Sequence, residues 1–348
     1  MDSQDPMEAF PVLTDVLYSQ LWQPLWHRFT GLFDLNGRLG VGFLAISLAV
    51  AYGLYRRRNN GRYRHFGHFL GGRRVWLHRS AMIDYQYYFL RVLLHAALVV
   101  PVLAWLDPYL LRSGDVTARL TEWWGTRPWQ GESTGLMLAY GLGAFLVSDF
   151  VHYWVHRAFH GRWLWEFHKV HHSATVMVPF TASRIHIVEK LLEKLCKGAA
   201  LALFAGLFFY VSGGKVGKFT LFGVSYLVLL FNSLAANLRH SHVWLSFGPV
   251  IEHVINSPAQ HQIHHSRDPR HFSLNFGTNL SVWDWMFGTL YVTTSAPEPL
   301  EFGVGEKDNL RYQRMSTLIL RPFWVTGGKL WRALACDALV SRGRRRLE

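Results

Sequence analysis

Two short stretches of this chain, His168-Lys169-Val170-His171-His172 and His261-Gln262-Ile263-His264-His265, repeat one pattern, H-x-x-H-H. A fold that serves both with one metal centre must carry them to the same place, and no other feature constrains the chain as tightly. Imidazole is a preferred ligand of iron, zinc and copper, and a shared site needs its donors at fixed spacing. Six of the 19 histidines fall between His152 and His172 and seven between His240 and His271. The clustering therefore extends beyond the motifs themselves.

Only 17% of the 348 residues are charged and 50% are apolar, a balance that points to a membrane protein. Leu39–Tyr55 carries no charge and runs directly into Arg56-Arg57-Arg58. That is a stop-transfer pattern; the basic start and small-residue cleavage site of a signal peptide are missing. Further apolar windows lie at Tyr88–Leu106, Gly135–Val155, Ala199–Ser212 and Phe219–Leu238. The second holds Arg91 and Pro101, and the fourth is short for a span of roughly 20 residues. The fourth and fifth alternatively form a re-entrant hairpin about Gly213–Lys218. The expected fold is all-α, a polytopic integral membrane helical bundle of about four to six spans. Residues 1–134 hold a lead-in and two spans, 135–295 the histidine-rich domain, and 296–348 a basic cytoplasmic tail.

Loop charge sets the orientation. Between Arg56 and Arg79 there are eight arginines and no acids, which marks that loop as cytoplasmic. Alternate crossings then place His156–His186, His240–His271 and Arg342–Arg346 inside, so every histidine cluster shares one face. Lys215 and Lys218 fall outside, a minor violation. The net charge of +13 sits mostly beside spans, where it sets topology and attracts anionic lipid. No nucleic-acid motif accompanies it, and no nucleic-acid partner is expected. Cys196 and Cys336 are too far apart in sequence to indicate a thiolate site or a disulfide.

The third span reads as helix through Arg157, which puts Asp149, His152, His156 and His160 on one face. Spacing alone allows either His152 with His156 or His156 with His160 as the first ligand pair. Within H-x-x-H-H the first and second histidines are helical neighbours, while the third points about 100° away and can reach a second metal. The same holds for His261, His264 and His265. Eight histidines suit two ions better than one, since one tetrahedral or octahedral ion has no room for them.

The run Asp149–His160, the segments Phe167–Ser173 and Ser257–Ser266, and the stretch Asn275–Tyr291 with Trp283-Asp284 and Phe287-Gly288-Thr289-Leu290 together resemble the fatty acid hydroxylase superfamily. The resemblance covers roughly Leu138 to Thr293. It selects His156-Arg157…His160 as the first motif and implies His156, His160, His168, His171, His172, His261, His264 and His265 as metal ligands. His240 and His242 occupy the place where family members carry extra histidines. His186 resembles a histidine of sterol-type members, although Ile187 stands where they have proline; Arg184 and Glu189 are the alternative means of holding that loop, as an ion pair. His152 is a neighbour one turn away, and Asp149 is expected to hydrogen-bond a ligating imidazole.

The resemblance implies a membrane-bound oxygenase with two non-haem iron ions that uses O2 to hydroxylate a lipid C–H bond. Zinc is an expected substitute in purified protein. No residue beyond the ligands is assigned a catalytic role. Desaturation at the same centre is the alternative outcome. A non-enzymatic membrane metal or haem carrier is disfavoured, because the ligands sit at span ends and outnumber what haem needs. No dinucleotide, haem-attachment or iron–sulfur motif is present, which implies a separate electron donor such as a ferredoxin or a cytochrome b5-like protein with its reductase. A bacterial inner membrane is the expected location, ahead of the endoplasmic reticulum.

Overall fold

The computed structural model describes residues 39–344 except 130, 218, 222, 223 and 235, together with Gln23 and Trp26. Apart from those two residues, the expected lead-in falls outside the described residues, as do Arg345, Arg346 and the Cys336 side chain. The described residues are mainly helical, with one minimal hairpin among them. In order come α1 (Val41–Arg58), α2 (Arg79–Leu94), α3 (Ser113–Trp124), α4 (Thr134–Phe159), α5 (Trp165–His172) and α6 (Ile187–Ser212). The hairpin β1 (Thr220–Leu221) and β2 (Val224–Ser225) leads into α7 (Tyr226–Ser233). Then follow α8 (Pro258–His264), α9 (Val282–Met286), α10 (Glu306–Arg311) and α11 (Met315–Arg344).

Among the described residues, three helices are long and apolar enough to cross a membrane: the near-continuous Arg79–Trp124, then α4, then α6. The chain is an integral membrane protein. In the first of these, α2 passes through a π-helical turn, His95–Val99, before Val100–Leu106 continues it. Proline offers no N–H to the ladder, and Pro101 sits in the first turn after the π segment, where that donor is dispensable. On α4 the exposed residues Leu138, Leu142, Leu146, Phe150 and Trp154 recur every fourth position, a stripe turned outward to lipid.

The fourth apolar window is less short than its composition indicated. The helix containing it begins at Ile187, where His186 caps it by accepting from Val188 N at 3.2 Å. Two glycines let α6 approach its neighbours closely. A Cβ at Gly143 would meet Phe204 at 2.3 Å, and one at Gly206 would meet Val116 at 2.4 Å. Small residues at helix contacts are how membrane helices pack without a hydrophobic driving force. The fifth window, Phe219–Leu238, is not one helix: it divides into the hairpin, α7 and a 3-10 turn at Ala236–His240. In α1 the apolar part is shortened because Arg56, Arg57 and Arg58 fill its last turn.

Residues expected as a basic tail fold back onto the histidine domain instead. Phe323 of α11 packs edge-on against Phe167 with centroids 5.4 Å apart, and Lys329 Nζ lies 2.8 Å from Glu166 Oε1. Behind α5, Arg184 is fully buried. It donates to Asp84 Oδ1 (3.1 Å), Ser173 Oγ (2.9 Å), Val170 O (3.1 Å) and Tyr312 O (2.9 Å). One guanidinium thus ties α2, the end of α5 and the lead to α11.

Candidate metal centre

Nine histidines converge in two groups, and within each group the offered nitrogens all lie within 4.8 Å of one another. The first group holds His156 and His160 from the end of α4, His168 and His172 from α5, and His264 from α8. The second holds His171 from α5, His240 from the 3-10 turn, and His261 and His265 from α8 and its C-cap. His160 is half-buried and the other eight are buried. A reciprocal cap fixes α8: Ser257 N donates to Gln260 Oε1 at 3.0 Å and Gln260 N donates to Ser257 Oγ at 3.1 Å. Beneath it the Glu252 carboxylate accepts from Ser257, Ser246 and Thr293 hydroxyls.

The division within each motif departs from the sequence expectation. The middle histidine, not the last, crosses to the other group. His168 and His172 share the first group while His171 joins the second; His261 and His265 share the second while His264 joins the first. Residues four apart on a helix are offset by about 40° and residues three apart by about 60°, so the first and last imidazoles of H-x-x-H-H align better. The two short helices exchange one ligand each.

The imidazoles are poised as neutral donors of lone pairs. His156 Nδ1 lies 2.7 Å from Phe276 O, and His264 Nδ1 lies 2.8 Å from Leu274 O. Carbonyl oxygens only accept, so each Nδ1 carries the proton and each Nε2 a lone pair. His168 Nδ1 lies 3.0 Å from Glu189 Oε2, without the alignment of a hydrogen bond. Yet His168 Nε2 is 3.0 Å from His156 Nε2 and 3.1 Å from His172 Nε2. In the second group, His261 Nε2 is 3.1 Å from His240 Nε2 and 3.2 Å from His265 Nε2.

Lone pairs facing each other at such distances repel unless a cation stands between them. Ligands held about 2.0–2.1 Å from one ion are separated by roughly 3.0–3.4 Å, the spacing seen here. Among the described residues, the buried Nε2 atoms of His160 and His264 have no hydrogen-bond partner. Burial holds His160, His168, His172, His261 and His265 well below the ordinary imidazole range, His171 at about 3 and His264 at about 4. The donor set therefore fits a pair of transition-metal ions.

The carbonyls that orient two of these rings come from a strained loop. Ser273 and Asn275 adopt φ of 60° and 56°, flanking Leu274 and preceding Phe276. Asparagine tolerates this left-handed conformation better than most residues. Asn275 is locked by Nδ2 to Gln260 O (3.2 Å) and Tyr291 O (3.1 Å) and by Tyr291 N to Oδ1 (2.8 Å). Asp284, lifted by burial to about 6, accepts from Phe276 N, Gly277 N and Thr289 Oγ1.

Four other candidates lie outside the groups. Asp149 does not reach a ligand ring: its carboxylate is taken by Asn279 N and Nδ2, Leu280 N and Trp283 Nε1. It anchors the segment that follows Phe276. Both nitrogens of His186 are engaged, by Val188 N and Ile319 O. His242 accepts from Met177 N at 3.2 Å, which turns its Nε2 elsewhere. His152 Nδ1 meets Glu193 Oε1 at 2.8 Å. The alternative ion pair between Arg184 and Glu189 is absent too, because Arg184 pairs with Asp84 and Glu189 faces His168. Nothing in the motif spacing indicated the roles of Glu189, Leu274 O and Phe276 O.

Cavities flank the groups on two sides. One of about 260 Å³ touches His156, His168, His171, His240 and His261, and reaches Phe145 of α4 and Lys190, Glu193 and Lys197 of α6. The other, about 740 Å³, touches His160, His172 and His264 and is rimmed by Arg162, Lys169, Arg267 and Lys329.

Fold and site together define a polytopic helical membrane protein with two all-histidine groups that could each hold a metal ion. Residues 141–289 match the fatty acid hydroxylase family model, so this part of the chain is similar to that family. It is 28% identical over 191 residues to an alkylglycerol monooxygenase of Xenopus tropicalis, covering 53% of this chain and 38% of that one. It is 28% identical over 161 residues to an ornithine lipid hydroxylase of Rhizobium tropici, covering 46% and 43%. A delta(7)-sterol 5(6)-desaturase of Gibberella zeae is 30% identical over 146 residues, covering 41% and 35%. The chain spans well under half the length of these relatives. No solved structure matches it.

Proposed function

We propose that this chain is a membrane-bound non-haem di-iron oxygenase that hydroxylates a C–H bond of a lipid. His156, His160, His168, His172 and His264 would hold one iron, and His171, His240, His261 and His265 the other. The observation that carries the reading is the facing of His156, His168 and His172 Nε2 atoms at 3.0–3.1 Å in a buried, burial-neutralised cluster. When bound, the iron pair supplies O2-dependent oxidation of an unactivated C–H bond. The balance is R–H, O2, two electrons and two protons giving R–OH and water.

The residues of the chain do the rest. Phe276 O and Leu274 O fix the tautomers of His156 and His264, and Glu189 stands beside His168. Second-layer partners of this kind orient ligands and raise their basicity. The smaller cavity, walled by α4 and α6, is the approach for a lipid from the bilayer. The larger one touches His160, His172 and His264, and an electron donor such as a ferredoxin or a cytochrome b5-like protein would meet there Arg162 and the ion pairs of Lys169 with Asp308, Arg267 with Glu301 and Lys329 with Glu166. The positive-inside count supports a cytoplasmic location for the centre.

The sterol desaturase among the relatives favours desaturation as the second reading. Removal of a second, neighbouring hydrogen would give an alkene in place of the alcohol. Metal analysis of the purified full chain, with lipid mass spectrometry of cells that do and do not express it, tests both. Gain of one oxygen by one lipid class supports hydroxylation, and loss of two hydrogens supports desaturation. An unchanged lipid profile with iron present removes the oxygenase reading.

A further inference from the structure

The smaller cavity joins the histidine groups to a charged cluster that metal binding does not use. Glu193 Oε2 takes Lys190 Nζ at 2.6 Å, and Oε1 takes Lys197 Nζ at 2.7 Å and His152 Nδ1 at 2.8 Å. Two ammonium groups therefore share one carboxylate, and each has further N–H donors to offer. Of the other acids lining the cavity, Asp149 is held by four donors and Glu189 Oε2 lies 3.0 Å from His168 Nδ1. What the wall offers an incoming anion is the remaining N–H donors of Lys190 and Lys197.

The cluster also sits at a telling depth. All the charges of α6 fall between Glu189 and Lys197, and from Gly198 to Ser212 the helix carries none. Along a spanning helix, that change marks the level of lipid head groups. At about 260 Å³ the cavity is smaller than the roughly 300–1,000 Å³ pockets that enclose a drug-sized ligand whole. It has room for a head and the first carbons of a chain, and its lining reaches Phe145 of α4, which stacks on Phe231 of α7.

We propose that Lys190 and Lys197 receive the anionic head of a lipid, phosphate or carboxylate, so that the carbon oxidised lies within a few bonds of that head. A sterol nucleus seated whole does not fit this cavity. The inference rests on the oxygenase reading for the word oxidised, but the head-group site stands on the cavity alone.

The test uses the metal-loaded full chain in neutral detergent, with thermal unfolding followed against decyl phosphate, decyltrimethylammonium, decanol and inorganic phosphate. Decyl phosphate should raise the melting temperature where the cationic and neutral amphiphiles do not. Inorganic phosphate should do much less, because the site takes a head that carries a chain. Lys190→Ala with Lys197→Ala should weaken decyl phosphate binding by about tenfold or more, while Lys190→Arg with Lys197→Arg retains it and reports that the fold is intact. Equal shifts from decyltrimethylammonium or from inorganic phosphate, or binding that survives the alanine pair, would overturn the proposal. Tandem mass spectrometry of oxidised lipids adds the second arm: oxygen in mid-chain or on a sterol also overturns it. Decyl phosphate binding without oxidation of any lipid would leave the head-group site standing and remove the oxygenase reading instead.

Discussion

Glu189 Oε2 lies 3.0 Å from Nδ1 of His168, and both residues are buried. The carboxylate stands behind the ring, whose Nε2 is turned toward His156 and His172. A carboxylate behind an imidazole raises the basicity of the nitrogen that binds metal, and its loss typically costs 10–100-fold in metal affinity or activity. Glu189→Ala should therefore weaken metal binding by about 10-fold or more in competition with a chelator. Glu189→Gln, which keeps the shape of the side chain without the charge, should fall between. Equal affinity in all three proteins would show that the contact is incidental.

The strained loop makes a separate prediction. Asn275→Ala removes three hydrogen bonds worth about 1 kcal/mol each and leaves a side chain in the left-handed region at a cost of about 1–2 kcal/mol. Asn275→Gly loses the same hydrogen bonds without the strain. Thermal unfolding should rank the wild type above the glycine variant and the glycine variant above the alanine variant. Reversal of the last two would mean that φ of 56° is not retained in solution.

Arg184 and Asp84 form a fully buried pair. Removing one member of such a pair typically costs about 3–5 kcal/mol, because it strands the other charge away from water. Arg184 also holds Val170 O and Ser173 Oγ at the end of α5, so Arg184→Ala should lower both yield and metal content. Limited proteolysis in detergent, with metal analysis, reads both. Wild-type protection and full metal in the variant would contradict the assigned role.

Metal-free protein should lose stability on acidification. Burial depresses the folded-state values of His171 to about 3 and of His264 to about 4, below the ordinary imidazole value near 6.5 in the unfolded chain. The unfolded state then binds more protons, so the stabilisation is complete above about pH 6.5 and drains away as the pH falls toward the folded values. Melting of the chelator-treated chain should therefore be lower at pH 5 than at pH 7.5. A flat profile would place these rings in contact with water.

The convergence of two H-x-x-H-H stretches could be read from their sequence, because identical spacing on two helices presents matching faces. How the rings divide could not. Assigning His171 and His264 to the opposite groups needs the relative placement of α5 and α8, which local periodicity does not contain. The carbonyls of Leu274 and Phe276 were invisible for a related reason: a backbone acceptor carries no residue-type signal. Asp149 misled, since an acid one face away from histidines suggests a ring partner, whereas tertiary packing brings Asn279, Leu280 and Trp283 to it first. Hydropathy identified α4 and α6 but not the break in Phe219–Leu238, where an apolar run supplies a hairpin and a short helix.

The central claim is two metal sites that exchange one histidine between their helices. Metal content per chain, measured on the iron-loaded full protein and its variants, tests it most directly. The wild type should hold about two ions. His160→Ala with His264→Ala should release about one, as should His240→Ala with His261→Ala, while His242→Ala should release none. A single ion in the wild type, or loss of both ions from His242→Ala, would contradict the account.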